Sequence, residues 1–160
     1  MTYTSFDPRK SIREKIGTSI LDVDKGDLYV LKVSDSTGGT EKIPMYLSEE
    51  VKSETLAEMP FLDMHMASTT YEPHDIGAAT RKHDCYIDVG LWFADTDNVD
   101  RTDFGKKVCD EIIDKVRTNQ CSFTGITFIN VEEVREIKEE KAHQVIYHYV
   151  ITIYCLYYDI

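Results

Sequence analysis

The sequence lacks the short motifs by which nucleotide-binding and hydrolytic proteins are recognised. It contains no G-x-x-x-x-G-K-[ST] or G-x-G-x-x-G phosphate loop and no G-x-S-x-G nucleophile turn. It also lacks the C-x-x-C and H-E-x-x-H spacings of zinc sites, and its one glycine pair, Gly38-Gly39, is typical of a turn. We therefore predict no catalytic residue, no cofactor and no metal ion.

Basic residues are few relative to acidic ones, with 18 Lys and Arg against 29 Asp and Glu and a formal net charge of −11. Binding of nucleic acid or of an anionic lipid surface depends on Lys and Arg, so neither partner is favoured. An acidic surface repels phosphate instead, which lets DNA pass without sticking. The polar N-terminus does not resemble a signal peptide, and no apolar run reaches the roughly 20 residues of a membrane helix. We expect an intracellular protein with reduced cysteines.

The length of 160 residues predicts a single domain, 1–160, that can bury its own core. Apolar spacing and capping residues predict helices over 8–16, 48–58 and 102–119. Alternating stretches predict six strands over 27–33, 41–47, 61–70, 82–94, 125–137 and 143–160. This order indicates an α+β fold with an antiparallel or mixed sheet of about four to six strands. We expect the helices to pack on one face, and the last two strands to form a long C-terminal hairpin.

The last strand, 143–160, is apolar on both of its alternating faces. A half-buried strand needs only one apolar face, so something must cover each side of this one. A second copy of a chain this short is a natural cover, and tyrosine is enriched where subunits meet. A ligand platform is the alternative use of these aromatic residues. The predicted interface residues are Trp92, Ile146, His148, Val150, Tyr154, Leu156 and Tyr158.

Two further groups could carry chemistry. His83 and Cys85 are two residues apart on one strand face, and they are the one pair that we would test for a metal. Asp95, Asp97 and Asp100 lie in a loop, Asp-Thr-Asp-Asn-Val-Asp, that has the alternate oxygens of a calcium loop. The loop lacks the central glycine and the bidentate Glu of such sites, so a solvated, helix-capping loop is favoured.

Several of these features occur together in one known family. They are a short N-terminal helix at 8–16, a strand introduced by Met59-Pro60, an alternating strand at 81–93, a helix at 104–116 with two adjacent apolar pairs, and the final strands at 125–137 and 143–158. This arrangement resembles the tail terminator (tail completion, head–tail joining) proteins of long-tailed phages and related viruses. The resemblance covers most of residues 60–160, which would form the core, whereas residues 27–58 depart from the family pattern.

The resemblance implies a structural virion protein rather than an enzyme. Such proteins form a ring, commonly a hexamer, which caps the finished tail tube and joins it to the head connector while DNA passes through the lumen. The implied partners are other copies of the chain, the tail tube protein, and a connector or stopper protein. The implied location is the tail or neck of a virion that is assembled in the host cytoplasm. We expect Asp95, Asp97 and Asp100 to line the lumen.

Three other functions remain open from the sequence. The first is another head–tail connector component, such as a stopper or a tube-related protein. The second is an intracellular α+β enzyme or ligand-binding domain, metal-dependent through His83, Cys85 and nearby acids. A generic acidic binding module is a third class.

Overall fold

The fold is a mixed seven-stranded sheet with two α-helices. The computed structural model describes residues 5–22, 26–34, 38–52, 55, 58–73, 80–95, 102–141 and 144–159. Neither of the described helices is long and apolar enough to cross a membrane. In chain order the elements are α1 (Pro8–Ile16), β1 (Thr18–Asp22), β2 (Gly26–Ser34), β3 (Thr40–Leu47), a 3₁₀ turn (Ser48–Glu50), β4 (Phe61–Pro73), β5 (Arg81–Asp95), α2 (Thr102–Thr118), β6 (Phe128–Lys141) and β7 (Gln144–Asp159).

The strands lie in the order β1-β2-β3-β4-β5-β7-β6. All neighbours are antiparallel except β3 and β4, whose short parallel ladder pairs Met45 with Leu62 and Leu47 with Met64. The pairings of β5 with β7 and of β7 with β6 run along almost the whole length of these strands. The predicted long C-terminal hairpin is therefore confirmed, as is a mixed sheet.

Helix α1 begins where the sequence predicts. The Asp7 side chain accepts a hydrogen bond from the Arg9 amide at 3.0 Å, and Pro8 occupies the first helical position. The Arg9 guanidinium also contacts Glu49 in the 3₁₀ turn at 2.8 Å, and it holds the pKa of that carboxyl near 2. These contacts tie the start of α1 to the turn after β3, although Glu49 is exposed and solvent screens its ion pair.

One hydrophobic cluster contains buried residues from both helices and from six of the strands. Helix α1 contributes Ile12 and Ile16, whereas α2 contributes Val108, Cys109, Ile112 and Val116. The side of β5 and β7 that enters this cluster is called the inner face here. It consists of Cys85, Ile87, Val89, Leu91 and Phe93 of β5, and Tyr147, Tyr149, Ile151, Ile153, Cys155 and Tyr157 of β7.

The structure corrects four predictions. The sheet is larger than the four to six strands expected, because the chain after Gly17 forms an additional edge strand, β1. Pro44 predicts that the strand at 41–47 lies at an edge of the sheet, but β3 lies inside it. The parallel ladder with β4 begins at Met45, one residue beyond Pro44, so the missing proline N–H costs that ladder nothing.

The other two corrections concern the ends of elements. Strand β6 continues to Lys141, so residues 139–141 are strand rather than turn. Of the predicted helix at 48–58, the described part begins with a single 3₁₀ turn, while residues 53, 54, 56 and 57 lie outside the described residues.

Gly105 marks the closest approach of α2 to the sheet. A Cβ atom at this position would lie 2.7 Å from Phe93 Cζ and would also meet the Tyr149 ring. Alanine normally stabilises a helix by about 1 kcal/mol relative to glycine. We expect Gly105→Ala to lower the free energy of unfolding instead, by on the order of 1–3 kcal/mol, because both rings are buried and overpacking is costly.

Urea unfolding measures the effect of Gly105→Ala. Lys106→Ala, at the exposed neighbouring position, serves as the control and should change stability little. If Gly105→Ala were as stable as the wild type or more so, the close packing of α2 on Phe93 and Tyr149 would be wrong.

Candidate interaction surface

The side of β5, β7 and β6 opposite the core, called the outer face here, forms a second surface. Strand pairing places Trp92 opposite His148, Tyr86 opposite Tyr154, and Phe128 opposite Leu156. Residues directly opposite each other on paired strands point to the same side. All seven residues that the sequence suggested as an interface therefore lie on this one face, and none of them belongs to the core cluster of the described residues.

The two faces of β7 differ in burial. Its inner-face residues from Tyr147 to Tyr157 are all buried, which accounts for one apolar face within the subunit. On the outer face Val150 is 7% exposed, while Tyr158 is 37% exposed and the remaining predicted interface residues are half-buried. Neighbouring side chains on the same face thus cover it in part, and it retains accessible apolar surface.

An aromatic row extends from the outer face along the same side of the sheet and crosses four strands, β7, β5, β4 and β3. Trp92, the one tryptophan of the chain, stacks on His148 with ring centroids 3.6 Å apart. Strand β4 lies on the other side of β5, and the centroid of its Phe61 ring is 6.4 Å from that of Trp92, with an angle of 17° between the two ring planes. Tyr46 of β3 meets Phe61 edge to face at 6.2 Å. Cross-strand aromatic pairs of this kind stabilise a sheet and fix its register.

Gly90 provides the space into which two polar side chains of the outer face lean. A Cβ atom on Gly90 would meet an oxygen of Asp63 and would lie 2.8 Å from His148 Nε2. The Trp92 indole N–H donates to Asp63 Oδ1 at 3.3 Å. Burial raises the pKa of Asp63 above its ordinary value, against the opposing effect of that hydrogen bond, and burial lowers the pKa of His148.

A polar belt lies beside the aromatic row on the outer face. Thr152 donates to Asp88 Oδ1 at 2.9 Å, and the Tyr154 hydroxyl donates to Asp84. Burial and the hydrogen bond to Asp84 raise the pKa of Tyr154. The Tyr154 ring also contacts Tyr86 at 5.4 Å, which begins a second aromatic patch. The outer face therefore alternates aromatic and carboxylate groups along the strands.

His83 and Cys85 lie on the inner side of β5, away from the outer face. His83 Nε2 is 2.6 Å from Asp159 Oδ2, and its ring stacks on Tyr157 with centroids 4.5 Å apart. Cys85 is completely buried opposite Cys155, and the Cys155 thiol lowers the pKa of Cys85. Because the Cys85 sulfur has no solvent access, a substrate cannot reach it in this structure. Among the described residues, no three metal-ligating side chains are grouped to hold an ion.

The predicted acidic loop remains untested. Asp97 and Asp100 lie outside the described residues. Asp95 is the last residue of β5. Alternation along β5 places Gly90 on the side of Trp92, whereas sequence analysis missed Phe61 and Asp63 as neighbours of the outer face. A glycine inside an otherwise regular strand signals a close approach, so Gly90 offered a local signal, whereas Phe61 and Asp63 offered none.

A cavity of about 660 Å³ opens at the other end of the sheet, beside β2 and β3. Arg13 lines it, forms an ion pair with Glu50 at 2.7 Å, and lies over the Tyr29 ring at 5.1 Å. The Arg13 cation is therefore already paired and stacked, and Asp27, Glu50 and Glu58 place carboxylates in the same lining beside Lys52.

No protein-family model and no curated protein sequence matches this chain. The surface described above is therefore the main basis for inferring a function.

The stacked pair of His148 and Trp92 leads to a pH prediction. Burial lowers the pKa of His148 below 6.5, while Glu139 and Asp88 oppose the shift and Arg135 adds to it. As the pH falls, His148 therefore becomes protonated in the unfolded chain before it does so in the folded chain. The contribution of neutral His148 to the free energy of unfolding should be lost as the pH falls from 7 through 6.5 toward the pKa of His148 in the folded chain. His148→Phe keeps a ring on Trp92 and should flatten this part of the profile.

Urea unfolding followed by Trp92 fluorescence at several pH values measures this dependence. Leu21→Ala is the control, because Leu21 is 80% exposed and carries no titratable group, so the free energy of unfolding of this variant should differ from that of the wild type by the same amount at every pH. Identical profiles for the wild type and His148→Phe would show that His148 titrates equally in both states.

Proposed function

We propose that this chain is a structural assembly protein, a tail terminator that forms a homo-oligomeric ring, commonly a hexamer in such proteins. The ring would cap a tail tube and join it to the head connector, so that the mature protein is part of a virion tail or neck. The sequence pattern and the outer face support the proposal. In the proposed ring, both helices of each subunit lie on the inner side of the sheet, and the outer side is left for contacts between subunits.

The observation that carries the proposal is the accessible apolar surface of the outer face. Tyr86, Phe128, Ile137 and Tyr158 are 40%, 43%, 45% and 37% exposed, respectively, and all four lie on that side of three adjacent strands. Tyr86, Phe128 and Tyr158 lie toward one end of this side, and Ile137 lies opposite His148 toward the other. Exposed apolar surface with a polar surround is typical of protein–protein contact sites. Aromatic residues are enriched at the centres of such contacts.

A ring requires each subunit to use two different surfaces. An interface between unlike surfaces closes into a ring when its rotation divides a full turn. The outer face would supply one of these surfaces, and a different part of the neighbouring copy would supply the other. A ring made in this way has no need of a cofactor or a catalytic group.

The charge of the chain supports passage of DNA without specific binding. The formal net charge of the chain is −11. In the proposal Asp95, Asp97 and Asp100 line the lumen, where like charge keeps the phosphate backbone from adhering. A strongly basic lumen in an assembled ring would contradict this part of the proposal.

A stopper or tube-related component remains the second candidate, because the same outer face would serve any neighbouring position in a connector. The metal-dependent enzyme has less support, since Cys85 is buried and His83 is engaged with Asp159.

Association through the outer face can be tested with Tyr86→Lys. A lysine at this position places a charge within the apolar patch, which should weaken assembly by about tenfold or more, as loss of a central aromatic contact does. Sedimentation measures assembly of the free protein, and electron microscopy measures binding to tail tubes. Leu21→Lys is the matched control, because Leu21 is 80% exposed on β1 and lies outside the outer face.

Three outcomes decide between the candidate functions. Rings at tube ends that are lost in Tyr86→Lys but retained in Leu21→Lys support the terminator. Binding to connectors but not to tubes supports a stopper. A wild-type chain that stays monomeric both alone and with tubes and connectors contradicts assembly.

A further inference from the structure

Strand β6 is a long edge strand. Among the residues that the structure describes, β7 is its sole partner, on one side, so its outer edge carries unpaired backbone groups. Residues 132–140 are all exposed, including the apolar Val134 and Ile137. An edge of this length can add another strand unless it is blocked. The features that would block or direct such pairing are therefore informative.

A bulge divides β6 into two parts. The pairing register with β7 shifts between Val131 and Glu133, at the stretch whose imperfect alternation indicates either a bulge or a short helical turn. Beyond the bulge the register is regular from Glu133 to the end of the strand. Bulges commonly terminate pairing, so the available edge is the regular part that follows.

The charges of this regular part are complementary to themselves. If two copies of β6 run antiparallel with Ile137 opposite Ile137, Glu136 of each copy faces Lys138 of the other. In the same register Arg135 faces Glu139, and Val134 faces Glu140. No like charges face each other between residues 134 and 140. Opposite charges directly across a strand pair are stabilising, and like charges are destabilising.

Neighbouring registers lack this property. A two-fold axis perpendicular to the sheet keeps the same face of both copies on the same side. Residues that lie opposite each other must then belong to the same face, which holds only if the residue at the axis lies opposite its own copy. Centring on Glu136 would place it opposite itself and Glu133 opposite Glu139. Centring on Lys138 would place two lysines together and Glu136 opposite Glu140. The sequence thus specifies one symmetric register near Ile137.

We propose that residues 134–140 of β6 pair antiparallel with the same segment of a second copy, about a two-fold axis at Ile137. The pairing joins the sheets of two subunits and closes the β6 edge of each, so no third strand can add there. It depends on the backbone edge of β6 rather than on the apolar side chains of the outer face, and it therefore goes beyond the proposed ring.

The contacts that these charges make within one subunit are loose enough to be exchanged. Arg135 lies 3.9 Å from Glu133, and Lys138 lies 3.4 Å from Glu140. Glu136 is held more firmly, because the Tyr149 hydroxyl donates to it at 2.9 Å, and it keeps that bond while facing Lys138 of the second copy. Exposed pairs are screened by salt, so the dimer should weaken as ionic strength rises.

A charge-swap experiment tests the proposal. Arg135→Glu should raise the dimer dissociation constant by about tenfold, since the symmetric dimer contains two such pairs and both become repulsive. The double variant Arg135→Glu with Glu139→Arg restores opposite charges in this register and should recover wild-type affinity. Lys106→Glu makes the same charge change on an exposed part of α2 and should have no effect. Sedimentation equilibrium gives each constant.

The measurement is made in the Tyr86→Lys background as well as in the wild type, so that association through the outer face does not contribute. Loss in the single variant with recovery in the double variant supports the pairing. A monomer at all concentrations in both backgrounds overturns it. A dimer with the same constant in all variants also overturns it, because that dimer would use another surface. Neither result bears on ring formation by the outer face.

Cross-linking tests the register directly. In a Cys121→Ser background, which removes the exposed native thiol, Ile137→Cys should couple between copies with a short bismaleimide. Leu21→Cys should not couple, because the exposed Leu21 lies on β1, at the opposite edge of the sheet. Equal coupling at both positions would indicate random collision and would overturn the register.

Discussion

Strand β7 is hydrogen-bonded to β5 on one side and to β6 on the other along almost its whole length, and this pairing decides which side chains meet. Since side chains alternate, one set enters the core beneath α2 and the other forms the outer face. A slip of one residue would exchange the two sets and expose the core. The stacking of Trp92 on His148 and the hydrogen bond from Thr152 to Asp88 both depend on that register.

The molecule offers two kinds of surface for association. The outer face is broad, partly apolar and rich in aromatic groups, so its contacts would gain from area and shape. The edge of β6 is narrow and directional, and its contacts would gain from backbone hydrogen bonds and from the order of its charges. The two surfaces share Ile137, whose backbone would lie in the edge pairing while its side chain lies on the outer face.

Much of the local structure could be predicted from the sequence. Asp7 and Pro8 start α1 as expected, and the change in alternation after Val131 is a bulge. Strand β1 was missed because its large apolar residue, Leu21, is exposed and gives no pattern of burial. The position of β3 inside the sheet could not be predicted. Proline limits strand pairing only where the hydrogen-bond ladder includes the proline itself, and the ladder between β3 and β4 begins after Pro44.

The sequence by itself determined which side chains of each strand share a face, because alternation is a local property of extended backbone. Tertiary structure alone decided that Phe61 and Asp63 join Trp92 and His148 over Gly90, and that β6 rather than β7 lies at the edge. Both outcomes depend on strand order. Strand order is set by the way distant segments close one common core, and no local pattern records it.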